Sequence, residues 1–185
     1  MKANTDIVHL TRLVTESVQL YAVQKGIRLT FQTTLNQKVI AVDEEKYERI
    51  LLNLLSNAIK FTPAGETVQV SLRKSNGMVN IEVKDTGVGI PDNKQELIFE
   101  RFGQVDSSLT RQAEGTGIGL TIVKLFVTAL GGTVSVKSRV GSGTVFTVKL
   151  PDKKILQDTQ EEGNFDADGK KIIEAVTVEF SDIYF

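Results

Sequence analysis

The 185-residue sequence has no cysteine, a single histidine, only three prolines and no long apolar run. Without cysteine there are no disulfides and no thiolate metal sites. Without a stretch approaching about 20 apolar residues, no membrane-spanning helix is expected. The opening MKANTDIVHLTRL lacks the apolar centre of a secretion signal, so a soluble cytoplasmic module is the expectation. An excess of one charge is also missing: 22 Lys and Arg stand against 23 Asp and Glu. Nothing demands a strongly basic face, and nucleic acid is not an expected partner. What is present, 41% hydrophobic and 24% charged residues, suits one globular domain with a substantial core.

The hydrophobic residues change period along the chain. Ile7, Val8, Leu10, Leu13, Val14, Val18 and Leu20 recur at helical spacing over residues 5–25, and Gly26 is placed to end that helix. IRLTFQTTL (27–35) alternates as a strand does, and KVIAV (38–42) is a second, shorter one. Asp43 is a good N-cap for a helix over 46–61, which Pro63 ends. Strands are expected at 67–74 and 78–85, joined by a hairpin turn at Asn76-Gly77. A short helix near 92–102, a mobile polar stretch at 104–114, a helix over 116–130 and a hairpin of 133–138 with 143–151 follow. Short turns favour antiparallel neighbours, and three longer helices are available to cover one face. The expected class is α+β, a two-layer sandwich with a mixed, mostly antiparallel sheet.

Two features do not look like scaffold. In NLLSNAIKFTP (53–63), Asn53, Asn57 and Lys60 fall within about 60° of one another on the helix. A solvent-facing stripe on an amphipathic helix explains their polarity. It does not explain the residue types, because asparagine in mid-helix costs several tenths of a kcal/mol relative to Glu or Lys. A carboxamide oxygen ligates a hard cation without adding charge, and an ammonium one turn along reaches a phosphate. The second feature is three glycine clusters: DTGVGI (85–90), GTGIGL (115–120) and GSGT (141–144). None completes a dinucleotide fingerprint or a P-loop. Gly87 and Gly89 nevertheless follow a strand ending in Asp85, so backbone can approach a ligand while the carboxylate accepts from an exocyclic amine. Gly115, Gly117 and Gly119 open a helix, where free N–H groups favour phosphate.

With IFERF (98–102) and GSGTVF (141–146), these motifs make residues 5–151 resemble the ATP-binding catalytic domain of sensor histidine kinases. That family lies within the gyrase, chaperone and MutL ATPase superfamily, and the resemblance implies the Bergerat sandwich. It implies that Asn57 ligates Mg²⁺ and that Asn53 lines the same site. Lys60 meets the phosphates, and Phe61 lies against the base or ribose. Asp85 accepts from the adenine amino group in a pocket shaped by Gly87, Gly89 and Ile90, with Thr144 in the same hydrogen-bond network. Arg101 reaches the γ-phosphate, and Phe99 and Phe102 belong to the aromatic box of an ATP lid over residues 91–115. Gly115, Gly117 and Gly119 offer backbone donors to the phosphates beside Leu120. Phe99, Phe102 and Ile90 have an alternative reading as core, and Arg101 as a surface charge.

Two departures refine the resemblance. Water-activating members carry a glutamate one turn before the metal asparagine; here that place is Asn53, which cannot act as a general base. Phosphoryl transfer to another group is therefore expected over hydrolysis. The only histidine, His9, is followed by Leu10 and not by an acidic residue, so the phosphoacceptor is expected on a separate dimerisation domain. A response regulator downstream and a monomeric isolated domain are expected as well. A superfamily ATPase and a nucleotide-sensing module are the alternative functions. Residues 152–171 look like a polar linker, and 172–185 look strand-like. EAVTVEFSDI (174–183) resembles the first strand of class III nucleotide cyclases, which would make Asp182 a metal residue and the tail the start of a truncated following domain; a surface strand or a disordered tail is the alternative reading.

Overall fold

A computed structural model of the chain describes residues 1–100, 119–156, 172 and 174–180. Its elements are β1 (Ala3–Asp6), α1 (Ile7–Ser17), α2 (Gln19–Gln24), β2 (Arg28–Thr33), β3 (Val39–Val42) and α3 (Glu44–Phe61). They continue with β4 (Thr67–Ser75), β5 (Met78–Asp85), α4 (Asp92–Gln95), α5 (Gly119–Ala129), β6 (Thr133–Arg139) and β7 (Gly143–Pro151). Residues 174–179 form a further helix.

The first helical run is broken at Val18, whose φ of −102° and ψ of 1° leave the helix. The Ser17 hydroxyl donates to Val14 O at 2.6 Å and competes for the last turn, as serine does. Asp6 caps α1 by accepting from Val8 N, and Asp43 caps α3 by accepting from Lys46 N. α3 is the central helix. Leu52, Leu54, Leu55 and Ile59 on it are wholly buried, each contributing about 1.5–3 kcal/mol of apolar transfer. It packs against α1 on one side and α5 on the other.

Beneath the helices lies a five-stranded sheet in the order β2-β4-β5-β7-β6. The β4–β5, β5–β7 and β7–β6 pairs are antiparallel, and Asn76 (φ 51°) with Gly77 (φ 71°) forms the β4–β5 turn. β2 pairs with β4 in parallel, Leu29 opposite Val68, although β3 and α3 intervene in sequence. β3 instead pairs antiparallel with β1, forming a separate two-stranded sheet.

Side-chain alternation sets the position of the site. Val79, Ile81 and Val83 on β5 all face the helical layer, and Asp85 is the next residue of that row. On β7, Phe146, Val148 and Leu150 form the facing row, and Thr144 is its end. Asp85 and Thr144 stand opposite one another in the β5–β7 register. Two apolar rows therefore end in a buried polar pair.

The tail departs from expectation. Residues 152–155, at the start of the expected linker, are tied to the domain. Asp152 bridges Lys38 (2.6 Å) and Lys74 (3.1 Å), and Ile155 exchanges two hydrogen bonds with the Asn4 side chain. The expected strand is a helix over 174–179. A strand would put Val176, Val178 and Phe180 on one face, yet Val178 is 65% exposed while Val176 and Phe180 are buried. Ile172, Val176 and Phe180, four apart, share the buried face instead, and Phe180 meets Tyr21 of α2 at 4.8 Å between ring centroids. Asp182 lies outside the described residues. Among the described residues, no helix is long and apolar enough to cross a membrane.

Candidate functional site

The adenine-side expectation centres on Asp85, which is 5% exposed. Its Oδ1 accepts from Gly87 N (2.9 Å) and Thr144 N (3.2 Å), and among the described residues no donor reaches Oδ2. Burial pushes the carboxyl pKa up, against the pull of those two backbone donors. One carboxylate oxygen is thus held by the protein while the other keeps its acceptor capacity.

The loop after Asp85 fits tightly. A Cβ on Gly87 would stand 2.3 Å from Phe61 O, so only glycine permits this approach of the loop to α3. Gly89 has a φ of 74° and would meet Arg139 O at 2.1 Å. Val88 N donates to Phe61 O at 3.1 Å, joining the loop to the end of α3. Ile90 packs against the core, and its N–H donates to Ser138 Oγ at 2.7 Å.

Ser138 was not foreseen in the sequence, where it is one more hydroxyl in an edge strand. Its own hydrogen goes to Gly143 O (3.0 Å), so Thr144 Oγ1 donates across their 2.8 Å contact. Thr144 then retains its oxygen as an acceptor beside Asp85. Gln95, also unforeseen, ties the loop down by donating to Ile90 O (3.0 Å) and Ser138 O (2.9 Å).

On α3 the polar stripe divides by burial. Asn53 is 3% exposed, Asn57 and Lys60 are half-buried, and Phe61 is exposed. Asn53 Nδ2 donates to Arg49 O at 2.8 Å, one turn back. A Cβ on Gly119 would lie 2.5 Å from Asn53 Oδ1, so the start of α5 is pressed against this amide. Beyond Asn53, a cleft of about 300 Å³ between α3 and α5 is lined by Lys46, Arg49, Phe126 and Glu179. Leu120 packs against the core from the first turn of α5. Phe99, partly buried, packs against the core, edge-on to Phe146 at 6.0 Å. Arg101, Phe102, Gly115, Gly117 and the stretch expected to be mobile lie outside the described residues.

No group of three or more His, Cys, Asp or Glu able to hold a metal occurs among the described residues. The half-buried Asn57 carboxamide carries an oxygen of the kind that could ligate a hard cation.

Known proteins can be compared with this geometry. The profile of the family described as histidine kinase-, DNA gyrase B-, and HSP90-like ATPase matches residues 42–154. The hybrid signal transduction histidine kinase D of Dictyostelium discoideum is 43% identical over 159 residues, 82% of this chain and 10% of that protein. The sensor histidine kinase TmoS of Ectopseudomonas mendocina is 47% identical over 148 residues, 79% of this chain and 15% of that protein. The chain thus spans a small part of the curated relatives it matches. Among solved structures, full-length ShkA in complex with AMPPNP superposes with a TM-score of 0.72 at 35% identity, covering 81% of this chain and 31% of that one. The nucleotide-free catalytic domain of histidine kinase ThkA shares the fold, with a TM-score of 0.73 at 23% identity, covering 83% and 97%.

Proposed function

The chain belongs to the histidine kinase-, DNA gyrase B-, and HSP90-like ATPase family, and from that membership we propose that it binds Mg²⁺-ATP and donates the γ-phosphoryl to a histidine on a separate dimerisation domain. The observation that carries the reading is Asp85: a buried carboxylate with Oδ1 held by two backbone donors and Oδ2 left to accept. The adenine amino group is the donor it suits, with Thr144 accepting beside it. Phe61, exposed at the end of α3, offers a face to the base or ribose. Lys60 neutralises phosphate charge, and Asn57 ligates the cation. Bound there, Mg²⁺ would shield the phosphate oxygens during transfer. Gly87, Gly89 and Ile90 shape the base pocket, and Gly119 and Leu120 border the phosphate end. Arg101, Phe102, Gly115 and Gly117 take their roles from the family resemblance.

Asn53 favours transfer over hydrolysis. Its amide is committed to Arg49 O and cannot take a proton from water. The phosphoacceptor must come from another domain or chain, and a response regulator would take the phosphoryl from it. A solved complex of histidine kinase ThkA with response regulator TrrA is of that kind. The site of action is the cytoplasm.

The test supplies a histidine-kinase dimerisation domain in trans with γ-labelled ATP and Mg²⁺. Acid-labile label on its histidine is expected. Nucleotide binding without any label would favour a sensing module. Steady turnover by the chain alone would favour an ATPase.

A further inference from the structure

We propose that Lys25 is a positioning residue for this nucleotide site: its ammonium closes the last turn of α3 and so holds Lys60 and Phe61 in place for the ligand. The inference rests on the reading of the site given above. The residue stands outside every motif of the sequence, one position before Gly26.

The last four carbonyls of a helix have no partner within it. In α3 the deficit is made worse by Pro63. Ile59 O would ordinarily accept from the N–H four residues on, and proline has none. Lys25 supplies the missing donor from outside. Its Nζ donates to Ile59 O at 2.5 Å and to Lys60 O at 2.6 Å. The next carbonyl, Phe61 O, accepts from Val88 N at 3.1 Å. Three consecutive carbonyls are thus taken by two groups, one from the end of α2 and one from the Asp85–Ile90 loop. The positive charge also sits at the negative end of the α3 dipole.

Lys25 is itself well anchored. It is the C-cap of α2, with its N–H bonded to Tyr21 O. Gly26 O accepts from Gly65 N at 2.8 Å, and Arg28 N donates to Glu66 O at 3.1 Å, so the turns after α2 and α3 are joined on both sides. The lysine is half-buried, and burial pulls its pKa below the ordinary lysine value. A merely solvated lysine would show neither property.

The consequence is local. The body of α3 is held by its buried Leu and Ile side chains. Only its last turn depends on Lys25, and that turn carries Lys60 and Phe61. Without the ammonium, the turn frays and the two side chains lose their fixed approach.

The experiment uses the full chain and a thermodynamic cycle on affinity for Mg²⁺-AMPPNP, measured by calorimetry. Lys25→Met is expected to weaken binding about tenfold, which is ~1.4 kcal/mol. Lys25→Arg, with several donors on one fork, is expected to recover most of that. Lys60→Ala is expected to cost little more in the Lys25→Met background, since residues acting through one another are not additive. Amide exchange at Val88, read without nucleotide, is expected to quicken in Lys25→Met and not in Lys25→Arg. Unchanged affinity in Lys25→Met, or fully additive losses, would overturn the proposal while leaving the nucleotide site standing. Failure of the unaltered chain to bind the nucleotide would overturn both.

Discussion

Asp85 is a carboxylate that folding pulls out of water, and its chemistry follows from that. Its folded-state pKa is raised above the unfolded value of about 3.9. The sign is fixed: the group favours folding below the unfolded pKa, and that contribution is lost as pH rises through the folded one. The ionised form of this buried carboxylate is therefore a cost to folding, one that the proposed recognition of a ligand would account for. Asp85→Asn removes the charge and should melt no lower than the natural chain at pH 7, with the advantage shrinking toward pH 3. The same change should weaken ATP binding at least about tenfold. Its oxygen must serve Gly87 N and Thr144 N, so its amide would turn a donor toward the adenine amine of the proposed complex. Melts across pH and calorimetry with ATP read the two effects. Asn57→Ala makes a different prediction. It should weaken nucleotide binding in the presence of Mg²⁺ and change it little in EDTA. Equal losses in both would remove Asn57 from the cation. Of the residues expected in the site, Asp85 was legible because a strand period ended on a charge before two glycines. Ser138, Gln95 and Lys25 were not, because each acts through backbone groups of residues distant in sequence.

At the scale of elements, the strong periods survived translation into structure. α3 begins at its capping aspartate and ends before Pro63, and Asn76-Gly77 makes the hairpin. Both expected hairpins pair as read, whereas pairing between strands distant in sequence was not legible. The ANTD stretch of β1 has no hydrophobic alternation, and its partner β3 lies more than thirty residues on. The parallel β2–β4 pair is invisible locally, because the whole of α3 lies between its strands. The tail failed through ambiguity of period. Val176 and Phe180 fit both a strand and a helix, and only the exposure of Val178 separates them. That helix yields a prediction. Phe180→Ala should cost about 3 kcal/mol or the free energy of undocking the helix, whichever is smaller. A chain ending at Leu156 sets the second limit in the same denaturant titration. A larger loss from the point substitution than from the truncation would contradict the docked helix.

For the whole molecule, the site belongs to no single element. In the proposed complex α3 would supply the phosphate and cation side, β5 the base side and β7 the facing threonine, while α5 forms the wall against Asn53. Ligand binding should therefore stabilise the entire domain, not one part. At a hundredfold excess over Kd, Mg²⁺-ATP is expected to add about 2.7 kcal/mol, seen as one upward shift of a single melting transition. At the same ligand concentration Asp85→Asn, bound tenfold more weakly, should keep no more than about 1.4 kcal/mol of that stabilisation. A two-step melt in which only one step moves would mean that the sheet and helices unfold apart.

The bond from Thr144 N to Asp85 Oδ1 joins residues 59 apart in sequence. During synthesis from the N-terminus, the carboxylate, the asparagine helix and the lysine all leave the ribosome before their threonine does. A nascent chain that has emerged only as far as β6 has most of the residues of the proposed site but not Thr144. Nucleotide capture on the ribosome should begin abruptly once β7 has cleared the exit tunnel, so ATP can act as a probe of when the last hairpin docks.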